Sequence, residues 1–496
     1  MEDKMPEVPR LRTIDRQQMV LRPVDVDKLI EADHPARGIW ELVGSLDLSS
    51  FYQAIEAVEG EAGRPAHDPR LLVSLWIYSY SIGVAAAREI SRLCAYHPAY
   101  QWLTGLGEVN HHTLSDFRVQ HEGALHKMAR EILGILSAEG LVALRHVVHD
   151  GTKIQASAGG DTFRREQTLR THIAEAQEQI QELEREAESE EASKRQQAAR
   201  ERAARERKQR LEHALQQLEQ IRAHSDKPAE ECRASETDPQ ARVMKHGDGG
   251  YHPSYNVQIS TDVDSGVIVG WGVSQSAHDQ GLLPEAIERI SESTGQLPEQ
   301  VIVDAAFVTG QTIIAVAEKG VELIGPEPDE EKPSSVQLNG MDSEFRAEAF
   351  TYVAEENYFI CPAGNRLNYK SSEKHRGGIR HRYQAKAQDC QSCPFKSRCC
   401  PKASKGRLLM RQVDSAAVLA YRQNIQTEQA KEIYKKRGAV AEFSNLWIKA
   451  KIQLRQFSLR GLVKVNIETL WVCLTYNIQQ WLRLCWRSKQ LVHCTS

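Results

Sequence analysis

The sequence predicts an α/β protein built on a mixed sheet, with an all-helical block ahead of it and two insertions inside it. Three observations carry that expectation. Residues before about 140 show helical spacing alone, whereas β-branched runs alternate with helical stretches after it. Two later segments depart sharply from the rest in composition.

In the helical block, residues 20–145, Leu71, Leu75, Tyr78 and Ile82 recur at helical spacing after the breaker Arg64-Pro65. Ile90 and Leu93 continue the pattern beyond Gly83. Thr113-Leu114-Ser115-Asp116 reads as a capping box that opens a helix through Phe117 and Arg118. Short helices with such a start suit a helix-turn-helix, and an ordinary bundle is the alternative. Strands are expected at Val142–Ile154, Tyr255–Thr261, Gly266–Ser274, Gln300–Phe307 and Val321–Ile324. Helices are expected over Gln280–Thr294 and from Ile313 to Glu318.

The first insertion runs from Phe163 to Arg222 without a Gly or Pro. Leu169, Ile173, Ala176, Ile180 and Leu183 step by four and three, and Leu211, Leu215 and Leu218 resume the stripe. Glu175–Glu191 holds eight acids and one base, and Lys194–Arg210 eight bases and two acids. Opposite charge on adjacent halves predicts an antiparallel hairpin turning near Ser189–Ser193, with one straight helix as the alternative. The second, Arg366–Arg411, carries thirteen Lys or Arg against Glu373 and Asp389, a local net of +11. That is the composition of a phosphate-contacting surface; a mobile solubilising loop is the bland alternative.

The whole chain of 496 residues suggests about three domains. Its net charge of −4 argues at first sight against a nucleic-acid binder, but the average hides the segregated charge. No run of 18 apolar residues occurs, and Leu462–Trp486 is broken by Lys464, Asn466, Glu468, Asn477, Gln479, Gln480 and Arg483, so it reads as a buried helix. The N-terminus lacks an apolar signal region, and the uneven cysteines point to metal, not to a secreted framework. A soluble cytoplasmic protein is expected.

Cys390-x2-Cys393-x5-Cys399 follows Cys361-Pro362 with 28 residues between. Four thiolates at this spacing suit a closed, structural zinc site, with Cys400 an adjacent substitute for Cys399. Asp150 is read at the end of one strand and Asp304 at the end of another. Carboxylates leaving neighbouring strand ends converge on hard cations, although a lone strand-terminal Asp is usually a turn former.

These motifs, in order, carry a family resemblance. HDGTKIQASAG (149–159), TDPQARVMKHGDGGYHPSYNVQ (237–258), VIVDAAF (301–307), the cysteine cluster and YKKRGAVAEFSNLWIK (434–449) closely resemble the DDE transposases of bacterial insertion sequences. The resemblance runs from about Leu21 to Trp486. It implies a ribonuclease H-like catalytic domain over 141–496, interrupted by a helical hairpin (160–230) and a basic Cys-rich insertion (355–412), behind a helical DNA-binding domain over 1–140. It makes Asp150, Asp304 and Glu442 the catalytic acids, and Tyr434, Arg437 and Lys449 phosphate contacts. Four residues separate Arg437 from Glu442 where the common signature has three, and Ala306 stands where a Gly often follows the second Asp. Glu442, Leu446 and Lys449 fall on one helix face.

The activity implied by the resemblance is DNA cleavage and strand transfer by two-metal phosphoryl transfer, with two Mg2+ (or Mn2+) ions on the three acids and structural Zn2+ on Cys361, Cys390, Cys393 and Cys399. The expected partners are double-stranded DNA, as terminal inverted repeats and target, and a second copy of the chain on DNA; no membrane is involved. The expected location is the bacterial cytoplasm, at the nucleoid. The alternatives are a structure-specific nuclease and a catalytically silent DNA-binding derivative.

Overall fold

The computed structural model describes residues 17, 19, 21 and 23–487, apart from 56–64, 188–193, 225–226 and 328–340. Among these, the N-terminal block forms α1 (Pro35–Ser45), α2 (Ser49–Tyr52), α3 (Pro69–Ser81), α4 (Ala87–Cys94), α5 (Pro98–Thr104), α6 (His111–Gln120) and α7 (Glu122–Ala138). Three of them start on a cap-Pro pair, His34-Pro35, Asp68-Pro69 and His97-Pro98. The cap side chain accepts an orphan N–H, and proline fits where its missing N–H costs nothing. α6 begins earlier than the sequence suggests. Asn110 caps it by accepting from His112 N at 2.8 Å, so Thr113 lies inside the helix and opens no capping box.

The main sheet holds β1 (His146–Gln155), β4 (Arg242–Lys245), β5 (Tyr251–Asp262), β6 (Ile268–Ser274), β7 (Gln300–Ile302) and β8 (Glu322–Ile324); β2 (Phe163–Arg164) and β3 (Ala234–Ser235) form a separate small pair. β5 pairs antiparallel with β1 on one side and with β4 and β6 on the other. β1, β7 and β8 run parallel. Helices cover both faces of the parallel half, as a sheet buried on both sides requires. α10 (Leu283–Thr294) and α11 (Gly310–Glu318) pack on Val301 and Val303, while Ile302 and Val148 face Ile433 and Ala441.

The helical insertion is a hairpin. α8 (Glu166–Ala187) and α9 (Lys194–Ala223) bury Leu169, Ala176, Leu211, Ala214 and Leu218 between them. Arg222 pairs with Glu166 and Arg205 with Glu184, a register only antiparallel helices give, which excludes the single straight helix. The expected turn at Ser189–Ser193 lies outside the described residues.

The basic segment is largely a second sheet, antiparallel in order β13-β12-β11-β10-β9: β9 (Thr351–Val353), β10 (Tyr358–Ile360), β11 (Arg366–His375), β12 (Gly378–Ala385) and β13 (Leu408–Asp414). Leu367, Tyr383 and Leu409 join Phe345, Phe350 and Phe359 in its own small core. It is therefore not a loop.

The C-terminal helices are α12 (Ala416–Ile425), α13 (Glu428–Lys435), α14 (Arg437–Leu446) and α15 (Leu462–Trp481). The polar residues that interrupt α15 fasten it in place. Asn477 accepts from Ile268 N and donates to Ile268 O, and Asn466 accepts from Val273 N, so both satisfy the free edge of β6. Glu468, fully buried, accepts from Ser458 N, Ser458 Oγ and Leu459 N. Arg118 donates to the same Ser458 Oγ at 3.0 Å and stacks on Trp76, which touches Trp471. Arg118 is thus spent inside the protein and does not project from α6. One core runs from α1 and α3 through α15 to β5 and β6, across the expected 140/141 boundary. No helix among the described residues is long and apolar enough to cross a membrane.

Candidate active site

Asp150 is the fifth residue of β1, not its end. β7 stops at Ile302, but β5 keeps pairing with β1 through Gln155, so the strand continues past the aspartate. Its side chain emerges where the parallel neighbour has ended, and Asp304 follows that neighbour's last residues. Asp304 Oδ1 accepts from Ala306 N at 2.9 Å, which turns the chain away from the sheet.

The two carboxylates meet one cation. Arg437, the first residue of α14, places Nη2 3.6 Å from Asp150 Oδ1 and 3.4 Å from Asp304 Oδ2. Asn445, two turns on, donates to Asp150 Oδ2 at 3.0 Å. Ala441 between them packs on Val148 and Ile302, which seats the helix against the sheet. Burial pushes the Asp150 carboxyl up to about 6; Arg437 opposes this and Asp304 adds to it. Arg437 Nε and Asn445 Oδ1 are buried there without hydrogen-bond partners.

Glu442 is exposed and stands one turn before Asn445, with Lys449 one turn after it. Lys449 lies in a π-helical turn, Trp447–Lys451, that extends α14. Burial lowers its ammonium pKa, and the Asp150 charge acts in the opposite sense. Glu442, Asn445 and Lys449 therefore line one ridge beside Asp150. Tyr434 packs, half-buried, against the cluster of Val148, Ile302 and Ile324. The structure thus brings Asp150, Asp304 and Arg437 into contact, sets Lys449 near them, and leaves Glu442 and Tyr434 at the margin. No three His, Cys, Asp or Glu side chains among the described residues form a ready metal cage.

Residues behind Asp150 are not evident from the sequence motifs. His149, on the opposite face of β1, donates from Nε2 to Gln258 Oε1 and pairs through Nδ1 with Ser260 Oγ, both at 2.9 Å. Its ring meets Phe307 edge to face at 5.0 Å, which ties β1 to the segment after Asp304. Burial pushes this imidazole down to about 4, so it is neutral at physiological pH. Gln258 and Asn256 donate to Asp279 Oδ1 at 2.9 and 2.8 Å. A Cβ on Gly151 would lie 2.2 Å from that oxygen, so a larger residue there would have to push the Asp279 carboxylate off its two amide donors. The signal for them is in β5, where Ser254, Asn256, Gln258 and Ser260 alternate and are all buried. A polar stripe buried on a strand exists to hold something.

Cys361, Cys390, Cys393, Cys399 and Cys400 line one small cavity. Cys361 Sγ accepts from Asn365 N and Cys390 Sγ from Arg407 N, both at 3.3 Å. Burial pushes the Cys400 thiol up to about 12, and the neighbouring Cys399 and Cys390 add to this. The cysteines of the sequence motif therefore share one cavity, Cys400 as well as Cys399, without forming a ligand cluster among the described residues.

Comparison with known proteins adds two matches. A family model described as a transposase DDE domain matches residues 360–482, which include the cysteine cluster and α14. A second, described as a transposase domain (DUF772), matches residues 24–120 of the helical block. No curated protein and no solved structure matches the chain.

Proposed function

Because the chain belongs to the DDE transposases of insertion-sequence type, we propose that it binds the terminal inverted repeats of its element, cleaves DNA there and joins the freed 3′-hydroxyls to target DNA. The observation that carries this reading is the convergence of Asp150 and Asp304 on one guanidinium. Two carboxylates that already share a positive group suit a hard divalent cation, and the unpartnered Asn445 Oδ1 adds a neutral oxygen beside them. Asp150, Asp304 and Glu442 would hold Mg2+ or Mn2+, which when bound would lower the pKa of an attacking water or 3′-hydroxyl and offset charge on the phosphate.

The chain's own residues bind and orient. Arg437 carries a fork of donors suited to non-bridging phosphate oxygens, and Lys449 brings a second positive charge to the same side. Tyr434 can donate its hydroxyl to a flanking phosphate. Asn445 fixes Asp150, and His149 with Phe307 fixes the spacing between Asp150 and Asp304. The strand order β6-β5-β1-β7-β8, antiparallel then parallel, supports the ribonuclease H-like reading.

Recognition of the repeats is assigned mainly to residues 1–140, with the basic sheet over 355–412 adding phosphate contacts. A homodimer on DNA is required by the need to join two ends, and the α8–α9 hairpin is its candidate surface. The cysteine cavity is assigned to structural Zn2+, on Cys361, Cys390, Cys393 and Cys399; elemental analysis of purified protein should find about one zinc per chain. The functional test supplies pre-nicked repeat ends and supercoiled target DNA with Mg2+. Covalently joined product is expected. Unjoined pre-nicked ends, with cleavage of un-nicked repeat DNA in a parallel reaction, would make the protein a nuclease, and binding alone would make it a silent derivative.

A further inference from the structure

Beside Asp304 lies an open groove that the proposed cleavage chemistry does not use. One wall is the segment directly after the aspartate, with Ala305, Ala306 and Gly310; the other is the face of the second sheet that carries Arg380 and Met410; Arg422 of α12 completes it. Arg376 sits at its rim, in the two-residue turn between β11 and β12.

The groove has a fixed width. Arg376 and Gly377 have φ of +46° and +76°, the paired left-handed geometry of a tight hairpin turn. The turn presses on the first residue of α11. A Cβ on Gly310 would lie 1.9 Å from Arg376 O, and one on Gly377 would lie 2.5 Å from Gly310 O. Backbone against backbone at this distance admits only glycine on both sides. The hairpin of the insertion is therefore latched to the loop that bears Asp304.

Its charge is also organised. Glu373 pairs with both Arg380 and Arg382, and Asp414 pairs with Arg422 at 2.9 Å. Each carboxylate holds guanidinium groups in place at the cost of one charge. Of the charged residues that line the groove, Arg376, Arg380 and Arg422 against Asp414 leave a net +2, with Glu327 also 3.7 Å from Arg422 behind it. Preorganised arginine forks flanking small apolar residues suit a chain that offers phosphates and base faces together.

We propose that this groove is a phosphodiester track that holds the DNA strand adjoining the scissile phosphate, gripped by Arg376 and Arg380. The assignment rests on the DNA-cleaving role of Asp304 and specifies where that strand runs. It gives the insertion a purpose, since the Gly310–Gly377 contact holds the hairpin against the start of α11, six residues after Asp304.

The test measures affinity of the full-length protein for a fluorescein-labelled generic duplex with a single-stranded overhang, over a range of NaCl in EDTA. In Arg376→Ala/Arg380→Ala the slope of log affinity against log salt should fall by about two, one unit per lost phosphate contact. Arg376→Lys/Arg380→Lys should restore the slope, and Arg233→Ala/Lys464→Ala, at two exposed positions outside the groove, should leave it unchanged. Thermal melts establish that the variants fold; should the alanine pair fail to fold, Arg376→Glu alone must still depress affinity. Wild-type slope in the folded groove variants overturns the track while leaving the catalytic reading intact. No binding by the wild type at any salt overturns the catalytic reading itself.

Discussion

The carboxyl of Asp150 should make the folded protein less stable than it would be without its charge. Burial raises its pKa from an ordinary 3.8 to about 6, despite Arg437. A raised carboxyl pKa means the fold prefers the protonated form, so the ionised form carries a penalty. About two pH units at 1.36 kcal/mol each give an upper bound of about 3 kcal/mol. The side chain keeps 22% of its surface exposed, so roughly 1–3 kcal/mol is expected. The penalty is full above pH 6, shrinks as pH falls, and is gone below 3.8. Asp150→Asn keeps the shape and can still accept from Asn445. At pH 8 without divalent cation the variant should therefore melt higher than wild type, by roughly 1–3 °C. Near pH 4 the two should coincide. Saturating Mn2+ should raise the wild-type melting temperature and barely move the variant's, since the cation offsets the charge that burial penalises. A variant that is less stable at pH 8, or a difference constant with pH, would refute this reasoning.

Packing supports three further predictions. Gly151→Ala drives a methyl into Asp279 Oδ1 and should cost about 1–3 kcal/mol in denaturant midpoint, most of it recovered in Gly151→Ala/Asp279→Ala; an additive double variant would show the contact is not the cause. Glu468→Gln halves the acceptors available to Ser458 and Leu459 and leaves Arg118 without its nearby buried charge, so a loss of about 2–4 kcal/mol is expected; a loss under about 0.5 kcal/mol would contradict the buried network. A fragment ending at residue 144 loses Trp471 and the rest of α15 from the shared core, and should show no cooperative melt or near-ultraviolet signal; a sharp transition would mean the helical block folds alone.

Much of the sheet is legible in the sequence because its strands obey local rules. The β-branched runs before Asp304 and around Asp150 read as strands, and the stripes of the insertion read as a hairpin. The strand ends are less legible, since pairing partners set them: the expected run Val142–Ile154 begins four residues before β1 does, and the run Gln300–Phe307 outlasts β7 by five. The second sheet stays hidden because few of its residues point inward. Leu367, Tyr383 and Leu409 are separated by basic and polar residues that face outward, which reads as a charged loop. Arg118 misleads for a related reason. A charged residue on a short helix looks like a surface contact until the chain around α15, 340 residues away at Ser458, supplies that serine and Glu468 nearby. The acids themselves are found through their motifs, but the guanidinium joining two of them is a long-range fact. Arg437 and Asp150 are brought together only by α14 packing on β1.

The central claim is that Asp150, Asp304 and Glu442 act as one catalytic set. The most direct measurement is Mg2+-dependent nicking of a labelled repeat-end duplex by wild type, Asp150→Asn, Asp304→Asn and Glu442→Gln, with DNA affinity measured in parallel. The account predicts nicking by the wild type alone, each variant slower by at least about a thousandfold, and DNA affinity within about threefold throughout. Full nicking by any one variant that still binds DNA would contradict it, and Glu442→Gln is the sharpest case, since Glu442 stands exposed at the edge of the site.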